Sequence, residues 1–273
     1  MNDKEYSYLK QKIRKLLKLD IDAYKVTQMR RRLEAFVKPR APNGAVQFCH
    51  QLEQDADTQK ELKDMLTINV SEFFRDTAPF EQLRSVILPE LLQSSPRLNI
   101  WTAGCSHGDE PYTVAMILDE ISPGRMHRIL ATDLDLEVLK QAKAGGPYPA
   151  KGLEGVSADQ LRTYFTDEGR EGYKIGDTLR KRVDFREHNL LSDPFEQGFD
   201  LVICRNVMIY FSEETKGRLF RQFHAALKPN GVYFVGATES LLDARALGFA
   251  PVSPNFYRKS ADSDAGSQEK MAA

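Results

Sequence analysis

The stretch that decides the fold runs from Trp101 to Leu118 and reads WTAGCSHGDEPYTVAMIL. The apolar run LNIW leads into it, and an apolar-rich segment follows Pro111, whose fixed φ and missing N–H suit the first turn of a helix. We therefore predict a strand, a loop and a helix, the arrangement that binds nucleotides in open α/β sheets. The loop contains only two glycines, Gly104 and Gly108, and no lysine, and it ends in the acidic pair Asp109–Glu110.

The composition of this loop indicates the kind of ligand. A phosphate group at a helix N-terminus usually requires more glycines for close backbone approach, or a P-loop lysine. Asp133 ends the next predicted strand, ILATD, where doubly wound folds hold a ribose hydroxyl. A nucleoside with positive charge and no required phosphate fits these residues, and S-adenosylmethionine is such a ligand. The alternative is that Glu110 only caps its helix and Asp133 only ends its strand.

The chain around the loop predicts an α/β domain behind a small helical one. After residue 95, the short apolar runs RILATD, VDFREHN, FDLVICRN and GVYFVGA alternate with amphipathic segments, which is typical of a parallel sheet covered by helices on both faces. Before residue 95, apolar residues recur at helical spacing. They form two main sets: Leu9, Ile13, Leu16 and Leu17, then Val26, Met29, Leu33, Phe36 and Val37.

Composition limits the class of protein. The 273 residues are 41% hydrophobic, enough to fill a substantial core, and the formal net charge of −1 gives no global field for nucleic acid or an anionic membrane. The three cysteines are far apart and have no metal-ligand spacing, so we predict no metal site and a reducing, cytoplasmic environment. The chain shows no signal-peptide pattern and no apolar run long enough to span a membrane.

Six segments together resemble the chemotaxis receptor glutamate O-methyltransferases, the CheR-type enzymes. They are TINVSEFFRDTAPFEQL, the loop quoted above, ILATDLDLEVLKQA, HNLL, ICRNVMIYF and LKPNGVYFVGATES, in the family's order over nearly the whole chain. The resemblance implies a class I methyltransferase (Rossmann-like) sheet with an all-α N-terminal domain and an inserted β-subdomain. It also implies transfer of a methyl group from S-adenosylmethionine to receptor glutamates, with S-adenosylhomocysteine as product.

The resemblance also assigns roles to individual residues. Those that match the family's cofactor contacts are Asn69, Ser71, Arg75, Gly104, Glu110, Asp133, Asn189, Leu190, Arg205 and Asn206, with Asp135 as a second choice for the ribose. Arg205 or Tyr210 is expected to position the substrate carboxylate. No general base is required, because a glutamate with a pKa near 4.3 is already ionised at neutral pH.

Substrate recognition is predicted in the N-terminal helices. Residues 1–40 contain twelve Lys or Arg against five acids, and Lys25, Arg30, Arg31 and Arg32 concentrate this charge on one helix. In this family the methylated regions of the receptor are helices with clustered glutamates, so a basic helix would steer them. The alternative is an ordinary charged face that is exposed to solvent. We expect a monomer that binds no nucleic acid and inserts in no membrane.

The predicted domain limits are a helical receptor-recognition domain (1–80), a linker (81–95), a methyltransferase domain (96–260) with an inserted β-subdomain near 147–186, and a flexible tail (261–273). The short loop TDEGREGYKIG favours an enzyme that does not depend on a receptor-tail tether. Two other functions stay open from sequence alone: a non-catalytic module that binds the cofactor or a nucleotide, and a methyltransferase of this fold with a different carboxylate acceptor.

Overall fold

The computed structural model describes residues 1–241 and 243–260, so the predicted tail lies outside the described residues. The chain divides into two compact units. The helical unit comprises residues 1–69 and 210–218, and the sheet unit comprises residues 70–209 and the chain after residue 218. No helix among the described residues is long and apolar enough to cross a lipid bilayer.

The helical unit contains α1 (Asp3–Leu17), α2 (Val26–Arg40), α3 (Ala45–Gln54) and α4 (Ala56–Leu66). Asn2 and Glu5 form a capping box at the start of α1, which satisfies two backbone N–H groups that the helix leaves free. The helical periodicity is confirmed for most of the predicted apolar positions, since Leu9, Ile13 and Leu33 are fully buried. Val26 differs: it begins α2 and is 60% exposed.

The sheet unit is built on seven strands in the order β5–β2–β1–β6–β7–β9–β8. Their bounds are β1 (Asn99–Ala103), β2 (Arg128–Asp133), β5 (Val183–Glu187), β6 (Phe199–Cys204), β7 (Leu227–Val235), β8 (Phe249–Ser253) and β9 (Phe256–Lys259). The first five strands in this order are parallel, and β9 and β8 are antiparallel. The α/β fold class is therefore confirmed.

Helices of this unit are α5 (Thr77–Gln82), α6 (Leu88–Ser94), α7 (Asp109–Ile121), α8 (Leu136–Ala144), α9 (Ala158–Tyr164), α10 (Asp177–Arg180) and α11 (Glu213–Ala226), whose first residues group with the helical unit. Because the chain order reverses between β1 and β6, the carboxyl ends of these two strands border the crevice where open α/β sheets bind ligands.

The division of the chain falls at Asn69, before the predicted limit at residue 80. Phe73, Phe74 and Phe80 are buried in the core of the sheet unit, which explains why this segment belongs there. Residues 81–95, predicted as a linker, are largely helical and bury Leu83 and Leu88 in the same core. Apolar side chains at helical spacing thus dock this segment on the sheet unit.

The region predicted as an inserted β-subdomain contains a two-stranded antiparallel sheet, β3 (Phe165–Asp167) with β4 (Tyr173–Ile175). Tyr148 pairs with Tyr173 in an isolated bridge, and its buried ring lies edge-on to Phe73 at 4.9 Å between centroids. This small sheet is therefore fixed to the core of the sheet unit by aromatic packing as well as by backbone hydrogen bonds.

Candidate active site

The loop between β1 and α7 is folded against the end of β2. The backbone N–H groups of Gly104 and Cys105 both donate to the carbonyl of Thr132, at 2.8 and 2.9 Å. Gly104, Ser106 and Gly108 all have positive φ, so the chain turns sharply before α7 begins at Asp109. The predicted strand, loop and helix are confirmed by these contacts.

The two glycines are required by contacts within the protein. A Cβ atom on Gly104 would lie 2.5 Å from the Val207 side chain, and one on Gly108 would lie 2.9 Å from Ala142. Each glycine therefore allows a close approach of neighbouring elements, in addition to its positive φ. This explains why the loop retains glycines although it lacks the pattern of a phosphate-binding loop.

Asp133, at the end of β2, ties the loop to the following helix. One carboxylate oxygen accepts the Ser106 N–H at 2.8 Å and the other accepts the Asp135 N–H at 3.0 Å. Burial raises the pKa of Asp133. Each oxygen keeps a further lone pair for a ligand hydroxyl. Asp135 is only 2% exposed and caps α8 through the Glu137 N–H, so Asp133 is the better placed of the two predicted ribose acids.

The predicted adenine segment lies beside Asp133. The His188 N–H donates to the carbonyl of Asp133 at 2.9 Å, which places the following residues, Asn189 and Leu190, at the same edge of the sheet. The Asn189 side-chain oxygen accepts the Leu191 N–H at 2.9 Å and closes a local turn. Both predicted residues are partly exposed, as a ligand contact requires.

The segment before α5 meets the start of α7. The Ser71 hydroxyl donates to the Asp109 carboxylate at 2.5 Å, and the Phe74 N–H donates to the Thr113 hydroxyl at 3.2 Å. Asp109 is 3% exposed, and burial raises its pKa. The predicted contact residue Ser71 is thus hydrogen-bonded to the loop Gly104–Glu110, which is predicted to bind the cofactor and is called the cofactor loop below.

Arg205 follows β6 and is the centre of a charged cluster. Its guanidinium donates to Glu110 at 3.3 Å, to Asp76 at 2.9 Å and to the carbonyl of Arg75 at 2.9 Å. The rings of Phe80 and Phe234 lie 4.8 and 4.9 Å from the guanidinium carbon. Two aromatic faces and two carboxylates therefore compensate a charge whose side chain is only 2% exposed.

Glu110 is a predicted cofactor contact whose carboxyl group has a strongly raised pKa. Burial, with a smaller contribution from the nearby Glu239, raises its pKa to about 7 against the opposing effect of the Arg205 charge. A second cation next to Glu110 would favour the ionised carboxylate. The set of acceptors at this edge, Glu110 and Asp133, therefore suits the ammonium group and the ribose hydroxyls of a cationic nucleoside.

Several neighbours of this cluster had no role assigned from the sequence. Asp76, Phe80 and Phe234 surround Arg205, and Glu239 accepts the Asn206 N–H. Asp76 lies within the quoted motif NVSEFFRD, and Glu239 lies within ATES, but neither motif shows by spacing which residue each acid meets. Among the described residues, no group of three or more His, Cys, Asp or Glu is arranged to hold a metal ion.

Comparison with known proteins identifies the family. Residues 69–253 match the domain described as "CheR methyltransferase, SAM binding domain". The chain belongs to the CheR methyltransferase family. It is 38% identical to "Chemotaxis protein methyltransferase" of Listeria monocytogenes, over 94% of this chain and 98% of that protein. It is 41% identical to "Chemotaxis protein methyltransferase 1" of Pseudomonas aeruginosa, over 65% of this chain and 68% of that protein.

The family assignment confirms the resemblance drawn from the six sequence segments and confirms S-adenosylmethionine as the cofactor. The acidic, glycine-poor edge described above fits this cofactor. The sheet unit brings together the predicted contact residues Ser71, Arg75, Gly104, Glu110, Asp133, Asn189, Leu190, Arg205 and Asn206 at the carboxyl ends of β1, β2, β5 and β6 or in the segment joined to them. Asn69 and Tyr210 belong to the helical unit, and the roles of all these residues remain predictions.

The four predicted recognition residues differ in their surroundings within the helical unit. Arg30 pairs with Asp3 at 2.7 Å and donates to the carbonyl of Met1 at 2.5 Å, and Arg32 donates to the carbonyl of Met65. Lys25 is partly exposed and precedes α2, and Arg31 is exposed on it. Arg30 and Arg32 therefore stabilise the unit itself, whereas Arg31 presents its charge to solvent.

Proposed function

We propose that this methyltransferase transfers the methyl group of S-adenosylmethionine to glutamate side chains of chemoreceptors, forming glutamyl methyl esters. The observation that carries the proposal is the Arg205 cluster, where Glu110 of the cofactor loop and Arg205 after β6 meet at 3.3 Å. This contact joins the acid predicted to bind the cofactor to the turn predicted to lie beside the reacting methyl. The names of the relatives, which act in chemotaxis, support the receptor as acceptor.

Methylation of a carboxylate does not require a general acid or base from the protein. The acceptor glutamate is ionised at neutral pH, so its oxygen attacks the methyl carbon without losing a proton. The O–CH₃ bond forms as the C–S bond breaks, and the electron pair of the C–S bond stays on sulfur. The protein has to align the reacting atoms and exclude water from the charged groups.

Arg205 contributes to this alignment by positioning. Its 2% exposure leaves almost no side-chain surface for an incoming substrate, and most of its donors already meet Glu110, Asp76 and the carbonyl of Arg75. We therefore assign it to holding the cofactor loop and the segment before α5 in register. Tyr210 stays the candidate for contact with the substrate carboxylate.

The acceptor is tested by transfer of labelled methyl from S-adenosylmethionine to a purified chemoreceptor cytoplasmic fragment. Glutamyl esters release the label as methanol in mild alkali, so alkali-labile label on the fragment is the expected result. A fragment with its surface glutamates changed to glutamine serves as the matched control and should stay unlabelled. No label on the unmodified fragment, with S-adenosylhomocysteine still bound in calorimetry, would contradict the proposed acceptor and favour a binding module or another carboxylate substrate.

Recognition of a receptor helix is assigned to the exposed part of the basic surface, with Arg31 as its best-placed residue. Reversal of charge by Arg31→Glu should raise the KM for the receptor fragment severalfold and leave kcat and cofactor affinity unchanged, because a solvent-exposed charge acts mainly on encounter. Lys60→Glu, an equivalent change at an exposed lysine of α4, is the control. Equal effects of the two changes would contradict recognition by α2.

A further inference from the structure

Glu239 joins the turn after β6 to the end of β7 at the carboxyl end of the sheet. One oxygen accepts the N–H groups of Asn206 at 2.7 Å and Gly236 at 2.9 Å, and the other accepts the N–H of Ile209 at 3.2 Å. The residue is 8% exposed and forms no ion pair within the described part of the chain. Three backbone donors therefore converge on this one buried carboxylate.

The geometry around Glu239 is built by a close approach. Gly236 directly follows β7, and a Cβ atom there would lie 2.6 Å from the Glu239 carboxylate and 3.0 Å from the Asn206 nitrogen. Only glycine therefore lets the end of β7 come this near to the turn after β6. Asn206 itself has a φ of 60°, a left-handed conformation that few residues adopt without support.

The turn held in this way carries the groups that the proposed function places beside the reacting methyl. Arg205 and Asn206 are its first residues after β6, and Ile209 lies at its other end. Glu239 contacts the backbone at Asn206 and Ile209, so it fixes the turn on both sides of Val207 and Met208. Since a displacement of about 1 Å can slow a positioned reaction by about a hundredfold, the anchoring of this turn matters for catalysis.

We infer that Glu239 is a positioning residue for methyl transfer, which holds the Cys204–Ile209 turn in its active conformation through three backbone hydrogen bonds. The inference rests on the proposed function for its kinetic consequence. Glu239 reaches the reaction only through the backbone that it holds, and it is distinct from the predicted cofactor and substrate contacts.

The test is Glu239→Gln, which keeps the shape of the side chain. A glutamine offers one acceptor oxygen and one NH₂ donor, so either orientation of the amide sets a donor against at least one of the three backbone N–H groups. We expect kcat for the receptor fragment to fall about 10- to 100-fold, while the Kd for S-adenosylhomocysteine changes less than about threefold. Amide hydrogen exchange should accelerate at Asn206 and Ile209.

Asp200→Asn is the matched control. Asp200 lies in β6 near its amino end, is 7% exposed, and accepts the Asn99 N–H at 2.7 Å as well as the Lys228 ammonium at 2.8 Å. Asp200 is thus a buried carboxylate that accepts a backbone N–H, and it lies on the strand that leads into the turn but at the opposite end of that strand. Its loss should lower the unfolding temperature without a comparable loss of kcat.

Two results would overturn the inference: a Glu239→Gln enzyme that keeps kcat within twofold, or an Asp200→Asn enzyme that loses kcat to the same extent. If the wild-type chain transfers no methyl to the receptor, the proposed function fails separately. Amide exchange then decides the positioning role, and unchanged exchange at Asn206 and Ile209 in the Glu239→Gln protein would exclude it.

Discussion

Glu110 offers the sharpest test of how the site binds a cationic cofactor. Its pKa is raised from 4.5 to about 7 mainly by burial, which corresponds to about 3 kcal/mol against the ionised form in the free protein. An ammonium group beside the carboxylate recovers part of this free energy, because it favours the ionised form. The predicted contact of Glu110 with the ammonium group therefore links binding of the cofactor to deprotonation of this carboxyl group.

The sign of the pH dependence follows from this linkage. As the pH rises through about 7, Glu110 of the free protein loses its proton and becomes the form that the cation prefers. At pH 7.5 about three quarters of the carboxyl groups are ionised, and at pH 5.5 only about 3% are, so affinity should weaken about 25-fold between these values.

The assay is titration calorimetry with S-adenosylhomocysteine at pH 7.5 and 5.5. Glu110→Gln should weaken binding at pH 7.5 by about 10- to 100-fold, the loss expected for one charged hydrogen bond, and its affinity should be nearly independent of pH. Glu120→Gln, at the last turn of the same helix, where the residue pairs with Arg84 at 2.9 Å, is the control. A wild-type affinity that does not change with pH, or an equal pH dependence in Glu110→Gln, would refute the reasoning.

Three further predictions concern stability. Gly104→Ala should cost about 2 to 3 kcal/mol more than Gly124→Ala in urea unfolding, because both glycines have φ near 78° but only the first would press a Cβ against Val207. Burial lowers the pKa of His127, so the free energy of unfolding should decrease as the pH falls below the ordinary histidine value of 6.5. His127→Gln should reduce this difference in unfolding free energy between pH 7.5 and pH 5.5. An unchanged difference would contradict the prediction. Tyr148→Phe removes a 2.8 Å hydrogen bond to the cofactor loop and should cost about 1 kcal/mol, whereas no change in the unfolding midpoint would show that water replaces it.

Local patterns in the sequence were sufficient for the elements of the fold. The runs LNIW, RILATD and FDLVIC each became a strand of the parallel sheet, because continuous apolar residues are stable only where both faces of a strand are covered. Pro111 marks the first turn of α7, and helical spacing places Leu9, Ile13 and Leu33 in the core of the helical unit. These signals depend on neighbours within a few positions along the chain.

The candidate site was only partly predictable for the same reason. The acids Glu110 and Asp133 are visible because Glu110 follows the loop after β1 and Asp133 is the last residue of β2, and the family resemblance added Ser71, Arg75 and Asn206. The local sequence did not show which of these side chains contact one another. The exposure of Arg31, against the engagement of Arg30 and Arg32 within the helical unit, likewise depends on contacts with α1 and α4.

What the sequence by itself determined is therefore the fold class, the strand, loop and helix that are predicted to bind the cofactor, and the cationic nucleoside that suits a glycine-poor, acidic loop. Only the tertiary structure decided that Arg205 lies between the rings of Phe80 and Phe234, and that Glu239 accepts hydrogen bonds from three backbone N–H groups. The physical reason is that periodicity and turn chemistry act over a few residues. A buried charge is instead compensated by whatever partners the packing of distant segments brings within hydrogen-bonding distance.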